Sequence, residues 1–232
     1  RCIMNKSELV LKLYEAFEKE YGPAACSLDY AKPHELLIST QLAAQCTDAR
    51  VNIVTKDLFV KYPSIEAFAK ADREELEQDI RSTGFYRNKA ELENDIRPTG
   101  FFRNKAKNII GCCQMLRDVY HYEIPDTMEE LTKLPGVGRK TANIMLGDYF
   151  HKPAVVVDTH CIRLSNRMGL TKNSDPYKIE LDLQKIIQPE MQSDFCHYLV
   201  YHGRAYCKAI NPQCEACPVK DICPKIIKKK KK

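Results

Sequence analysis

The chain has 232 residues, 44% of them hydrophobic, which is enough to bury a substantial core in one large or two small domains; no apolar run approaches membrane-spanning length, so no membrane partner is expected. Its formal charge of +5 resides in Lys228 to Lys232, since without these five lysines the chain carries 31 basic and 31 acidic residues. Net charge therefore gives no argument for a nucleic-acid partner, and a basic face must come from local clusters such as Arg103, Lys105 and Lys107, Arg139 and Lys140, or Arg163 and Arg167.

Strand signals are few. In chain order, residues 6–20, 33–45, 48–61, 72–81 and 105–120 carry apolar residues at helical spacing, with Asp48 placed to cap the third of these segments. Residues 75–90 recur almost unchanged at 91–106, a tandem duplication of one helix-and-turn unit with too few copies for a solenoid. Further on, Thr127 to Lys133 reads as a short helix capped by Asp126 or Thr127, and Pro135-Gly136-Val137-Gly138 reads as a tight turn. Lys140 to Gly147 follows as a second helix stopped by glycine, so a helix-hairpin-helix unit spans about 127–147. A short apolar run, Ala154 to Val157, leads to Asp158, which is placed to cap a helix from Thr159 to Met168. A last helical pattern covers 175–187, and the chain as a whole reads as all-α.

Three of these features carry chemistry. The glycine turn exposes backbone N–H groups at the start of a helix, a ready site for a phosphate oxygen, and sets Lys140 beside it. Asp158 can hold a helix start and still stabilise a developing cation. A nucleophilic amine with an ionised carboxylate suits Schiff-base formation at an electrophilic sugar carbon. The third feature is cysteine: eleven in all, an odd number without a signal-peptide pattern, which argues against a secreted disulfide framework. Cys207, Cys214, Cys217 and Cys223 are spaced closely enough to converge on one centre, either a tetrahedral zinc or an iron-sulfur cube.

Pro135-Gly136-Val137-Gly138-x-Lys140, Val157-Asp158-Thr159-His160 and the cysteine loop after Tyr201-His202-Gly203-Arg204 occur together, in this order, in the endonuclease III family of DNA glycosylases. The chain resembles a prokaryotic member of that family from roughly Leu9 to Pro224. The resemblance implies two helical domains flanking a DNA-binding cleft: a helical barrel over 26–152 bearing the hairpin, and a cluster domain made of 1–25 and 153–224. Residues 225–232 would then be a disordered basic tail. It also implies a 4Fe-4S cluster on Cys207, Cys214, Cys217 and Cys223, with Lys140 as nucleophile and Asp158 as catalytic carboxylate.

The implied DNA contacts are the hairpin amides of Gly136, Val137 and Gly138, with Gln45 filling the space left by a flipped base and an aromatic wedge following a glycine in the repeated turn. The wedge positions are Phe85 in the first copy and Phe101 in the second, and Phe101 is preferred because its copy runs into the downstream helix. Arg139, His160 and Arg163 complete the DNA-contacting set. The expected activity is a bifunctional glycosylase and abasic-site lyase that removes oxidised pyrimidines from double-stranded DNA and cleaves the strand by β-elimination, acting as a monomer in a prokaryotic, nucleoid-associated cytoplasmic setting. A monofunctional glycosylase of the same superfamily, or a non-catalytic metal-containing DNA-binding protein, is the alternative.

Overall fold

The structure, a computed structural model, describes residues 4–84 and 101–227. Among these residues there is no strand, as the helical spacing of the sequence predicts. The chain divides into two compact units, one running from Ser27 to Phe150 and the other formed by the residues up to Cys26 and from His151 onward.

The second of these opens with α1 (Lys6–Tyr21), whose start is fixed by a reciprocal cap: the Glu8 amide donates to Asn5 Oδ1 (2.9 Å) and the Asn5 amide to Glu8 Oε2 (3.0 Å). The middle unit begins with α2 (Pro33–Leu42), every residue of which from His34 onward is buried. A helix buried on all sides is central, and α3 (Asp48–Lys61), α4 (Ile65–Ala69), α5 (Arg73–Asp79) and α6 (Phe101–Asp118) supply its surroundings. Leu36, Leu37, Ile38, Leu42, Val51, Phe68, Leu76, Ile80, Ala106 and Ile109 form the shared core. Two short helices, α7 (Met128–Leu131) and α8 (Arg139–Ile144), complete this unit.

Sequence boundaries shift where local chemistry competes. Thr47, not Asp48, caps α3, accepting the Arg50 amide at 3.3 Å, while the Asp48 carboxylate takes the Ser27 hydroxyl at 2.5 Å. Helix α2 stops at Leu42, short of the expected 45, because the chain turns and reaches a positive φ of 57° at Gln45. Helix α6 starts at Phe101, earlier than 105. Of the duplicated segment, Glu75 to Gly84 forms α5 and a 3-10 turn (Arg81–Thr83), and Phe101 to Ala106 opens α6. Phe85 lies outside the described residues, as do the first three residues and Lys228 to Lys232.

Helices α9 (Thr159–Arg167), α10 (Pro176–Gln184) and α11 (Gln192–Ala205) belong to the second unit. There α11 packs on α1 and α9, burying Leu13, Phe17, Leu164, Phe195, Tyr198 and Leu199 completely. Val219, Cys217 and Cys223 sit against the same cluster. Residues 225–227, expected to belong to a disordered tail, are held against the second unit: the Ile226 amide donates to the Arg167 carbonyl at 2.8 Å, and Ile226 lies close to Gly169.

Lys105 requires a second correction. It does not contribute to a basic surface: it is 6% exposed, and its ammonium donates to the carbonyls of Leu42 (2.7 Å) and Thr83 (2.6 Å), tying the end of α2 to the 3-10 turn. Burial disfavours the charge and lowers its pKa to about 8. A lysine in the unfolded chain titrates near ~10.4, so between pH 8 and that value the unfolded chain binds more protons than the folded one and stability rises with pH. Relative to Lys105→Met, the wild type is therefore expected to gain up to about 3 kcal/mol from pH 7.5 to 10.5. Urea unfolding of both proteins at the two pH values measures this difference; equal pH slopes would show that the buried ammonium titrates normally.

Candidate functional site

The glycine hairpin is built on buried anchors. Thr127 caps α7 by accepting the Glu130 amide (3.3 Å), and the chain then tightens through Leu134 N–H to Leu131 O (3.2 Å) and Val137 N–H to Leu134 O (3.1 Å). Leu131, Leu134 and Val137 are buried, while Gly136, Gly138, Arg139 and Lys140 are exposed. The Val137 amide is thus consumed inside the turn and is not available to a phosphate, unlike those of Gly136 and Gly138, which the turn does not use. Lys140 is the second residue of α8 and projects from an exposed helix start. Helix α8 does not stop at Gly147: the Phe150 amide bonds to Met145 O at 3.0 Å, and a π-turn (Met145–Tyr149) carries the buried glycine inside it.

Gly136 has φ +76°, and a Cβ there would overlap Gln41 Oε1 and come within 2.7 Å of Asn108 Cβ. The hairpin is thereby seated on α2 and α6. Gln41, 5% exposed, offers no hydrogen bond to the turn. In the same unit Gln45 stands exposed after α2, in the left-handed region that a non-glycine residue seldom adopts. Phe101 is 44% exposed at the first position of α6, whereas its neighbour Phe102 is buried.

Asp158 lies in the other unit. It caps α9, its Oδ1 accepting the Cys161 amide at 2.7 Å, as its position before Thr159 predicts. His160 and Arg163 are half-buried and face inward: Arg163 Nη2 lies 3.0 Å from His160 Nδ1, and the guanidinium also donates to the carbonyls of Cys207 (3.1 Å) and Gly203 (3.3 Å). These two side chains therefore brace α9 against α11 and the cysteine loop. Gly203 is what permits it, since a Cβ there would overlap the His160 ring and approach Arg163 Nη2 to 2.8 Å. Arg167 likewise turns inward, donating to the carbonyls of Lys208 (2.7 Å) and Ala209 (3.0 Å).

Cys207, Cys214, Cys217 and Cys223 line one recess, together with Arg167, His202 and Tyr206. A tetrahedral zinc would hold its thiolates about 3.8 Å apart, as Zn–S bonds of ~2.3 Å require. Among the described residues no group of three or more His, Cys, Asp or Glu is disposed to hold a single metal ion. Four soft thiolates around one recess fit a polynuclear iron-sulfur cube. Sequence reasoning missed His202: it is 1% exposed beneath this recess, with Nε2 3.3 Å from Cys217 Sγ. Its only sequence signal was its place in Tyr201-His202-Gly203-Arg204.

A family model described as HhH-GPD superfamily base excision DNA repair protein matches residues 38–92 and 89–189, two stretches that meet within the duplicated segment. A second, the iron-sulfur binding domain of endonuclease III, matches 207–223. Endonuclease III of Synechocystis sp. is 45% identical over 225 residues, covering 97% of this chain and 95% of the relative. Among solved structures, a non-covalent endonuclease III–DNA complex is 42% identical with a TM-score of 0.83, covering 96% of this chain and 97% of that chain. A trapped endonuclease III–DNA covalent intermediate is 41% identical with the same TM-score and coverage.

The seat of the hairpin gives a paired test. Gly136→Ala forces both a strained φ and a collision, and is expected to cost about 1–3 kcal/mol of stability. Gly138→Ala, with φ −94° and nothing within 4 Å of a Cβ, is expected to change stability by less than about 0.5 kcal/mol. Denaturant midpoints of the two variants check the contrast, which equal losses would contradict.

Proposed function

Because the chain belongs to the endonuclease III family, as 45% identity over nearly its whole length shows, we propose that Lys140 is the amine through which it acts on damaged DNA. The protein is a base excision repair DNA glycosylase and abasic-site lyase, its partner is DNA and its cofactor is a 4Fe-4S cluster. The observation that carries the residue-level reading is the exposure of Lys140 at a helix start, immediately behind a glycine turn whose Gly136 and Gly138 amides remain open.

In this reading the open hairpin amides bind a phosphate of the damaged strand, which fixes the register of the duplex without reading its sequence. The damaged nucleotide is turned out of the stack, Gln45 enters the space it leaves, and Phe101 stacks on the exposed bases. Lys140 attacks C1′ of the deoxyribose; the base leaves as the C–N bond breaks, and the nitrogen loses its protons to give a Schiff base with the opened sugar. Asp158, fixed at its helix start, stabilises the cationic sugar and assists proton transfer. Loss of a C2′ proton from the Schiff base expels the 3′ phosphate by β-elimination, and water then releases Lys140.

The substrates are oxidised pyrimidines and abasic sites, and the protein works as a monomer on the DNA of the bacterial nucleoid, in the cytoplasm. The unit carrying the hairpin serves as the family's helical barrel and the other as its cluster domain. When bound by Cys207, Cys214, Cys217 and Cys223, the 4Fe-4S cluster supplies a cross-link that orders the loop 207–223.

Borohydride reduction during turnover should trap wild type covalently on a duplex containing thymine glycol and on one containing an abasic site. Lys140→Gln should give no adduct on either and lose at least about 10³-fold in excision, the scale of removing an essential nucleophile. An unchanged adduct in Lys140→Gln would overturn the assignment. Trapping on the abasic duplex alone would keep the lyase and remove the pyrimidine specificity. Phe101→Ala is expected to slow excision of thymine glycol while Phe85→Ala does not, and equal activity of both variants would end the wedge assignment.

A further inference from the structure

The ring of His202 is held on α11 between Phe17 and Tyr206, at centroid distances of 4.8 and 5.6 Å. Its two nitrogens face different partners: Nε2 lies 3.3 Å from Cys217 Sγ, and Nδ1 lies 2.8 Å from the hydroxyl of Tyr21 at the end of α1. A thiolate that ligates iron has lone pairs and no proton, so the hydrogen between Nε2 and sulfur must sit on nitrogen. The Tyr21 contact at the opposite side of the ring then sets its plane and aims Nε2–H at the sulfur.

We propose that His202 sets the reduction potential of the cluster through this N–H···S hydrogen bond, with Tyr21 as a positioning residue acting through it. The bond draws charge from the Cys217 thiolate. It thereby stabilises the more electron-rich state of the cluster and raises the potential of its one-electron couple, so that the cluster gives up an electron less readily. Two other sulfurs receive hydrogen bonds, Cys207 from Arg167 Nη1 (3.3 Å) and Cys223 from the Lys225 amide (3.4 Å), but these come from a residue that also braces the loop backbone and from the loop itself. The His202 side chain meets the loop at the Cys217 sulfur and ties that sulfur to α1. Its consequence is protection: a cross-link that orders 207–223 is lost when its iron is oxidised, and a raised potential slows that loss.

The proposal rests on Cys217 being a cluster ligand, and the test separates the two. Iron-loaded full-length wild type, His202→Leu and Tyr21→Phe are compared by potentiometric titration monitored by electron paramagnetic resonance, with ferricyanide as one-electron oxidant and dithionite as reductant. The bleaching of the visible band by ferricyanide is followed in parallel. The midpoint potential is expected to fall and bleaching to accelerate in both variants, more in His202→Leu. Iron-loaded variants with the wild-type potential would overturn the tuning role and leave the ligand assignment standing. An iron-free wild type would overturn both. Should His202→Leu fail to fold or to hold iron, Tyr21→Phe, which removes one hydroxyl, decides alone: a lowered potential supports the proposal and an unchanged one overturns it.

Discussion

Every chemical use of Lys140 depends on the hairpin being held from below. Backbone amides can be presented to a ligand only if the segment carrying them is anchored elsewhere, because a loop left to itself loses its geometry to conformational entropy. Here the anchors are Leu131, Leu134 and Val137, all buried, and the glycine seat against Gln41 and Asn108. The division of labour is visible in single residues. Val137 turns its side chain into the core and spends its amide on Leu134, so that Gly136 and Gly138 can remain open on the surface. A lysine two positions later inherits a fixed address from contacts it does not make.

The cysteine loop solves a similar problem with polar groups. Residues 207–223 contain no helix, and their backbone carbonyls need donors. Arg163 and Arg167 supply them, reaching Cys207, Lys208 and Ala209 from α9. This explains why two arginines that look like a DNA-binding pair in the sequence are turned inward: a planar guanidinium with five donors serves several carbonyls of an irregular loop better than any other side chain. Burial lowers the pKa of Arg163, a cost offset by the acceptors that its Nε and Nη2 find at Cys207, Gly203 and His160.

The sequence made legible what depends on period and local chemistry. The helical spacing located the long helices except α11 (Gln192–Ala205), Thr127 and Asp158 were readable as caps, and the hairpin glycines and four cysteines could be placed by type and spacing. What was not legible depends on contacts distant in the chain. Nothing near Lys105 announces that it will bind carbonyls 63 and 22 residues away, and a lysine among other basic residues reads as surface. Gly147 reads as a stop because glycine usually is one, yet tertiary packing carries it inside a π-turn. Thr47 and Asp48 are both good caps, and the nearby Ser27 hydroxyl takes the aspartate and leaves the threonine to cap.

Lys105 also bears on how the chain tolerates its repeat. Both copies contain the sequence Arg-Asn-Lys-Ala, so Lys89 and Lys105 are equivalent by sequence, and only one ammonium can occupy the site formed by the carbonyls of Leu42 and Thr83. The structure gives it to Lys105 while taking the other side of the same site, Thr83 with the buried Leu76 and Ile80, from the first copy. The unit is thus assembled from the front half of one copy and the back half of the other. In the sequence, sixteen residues, 85–100, separate the two halves. A duplication is tolerated here because each junction with the core still meets the residues it needs: Leu76 and Ile80 upstream, Phe102, Lys105 and Ala106 downstream. An insertion of unrelated sequence at the same place would keep those junctions equally well, so it is the position of the added residues, not their likeness to the original, that spares the core.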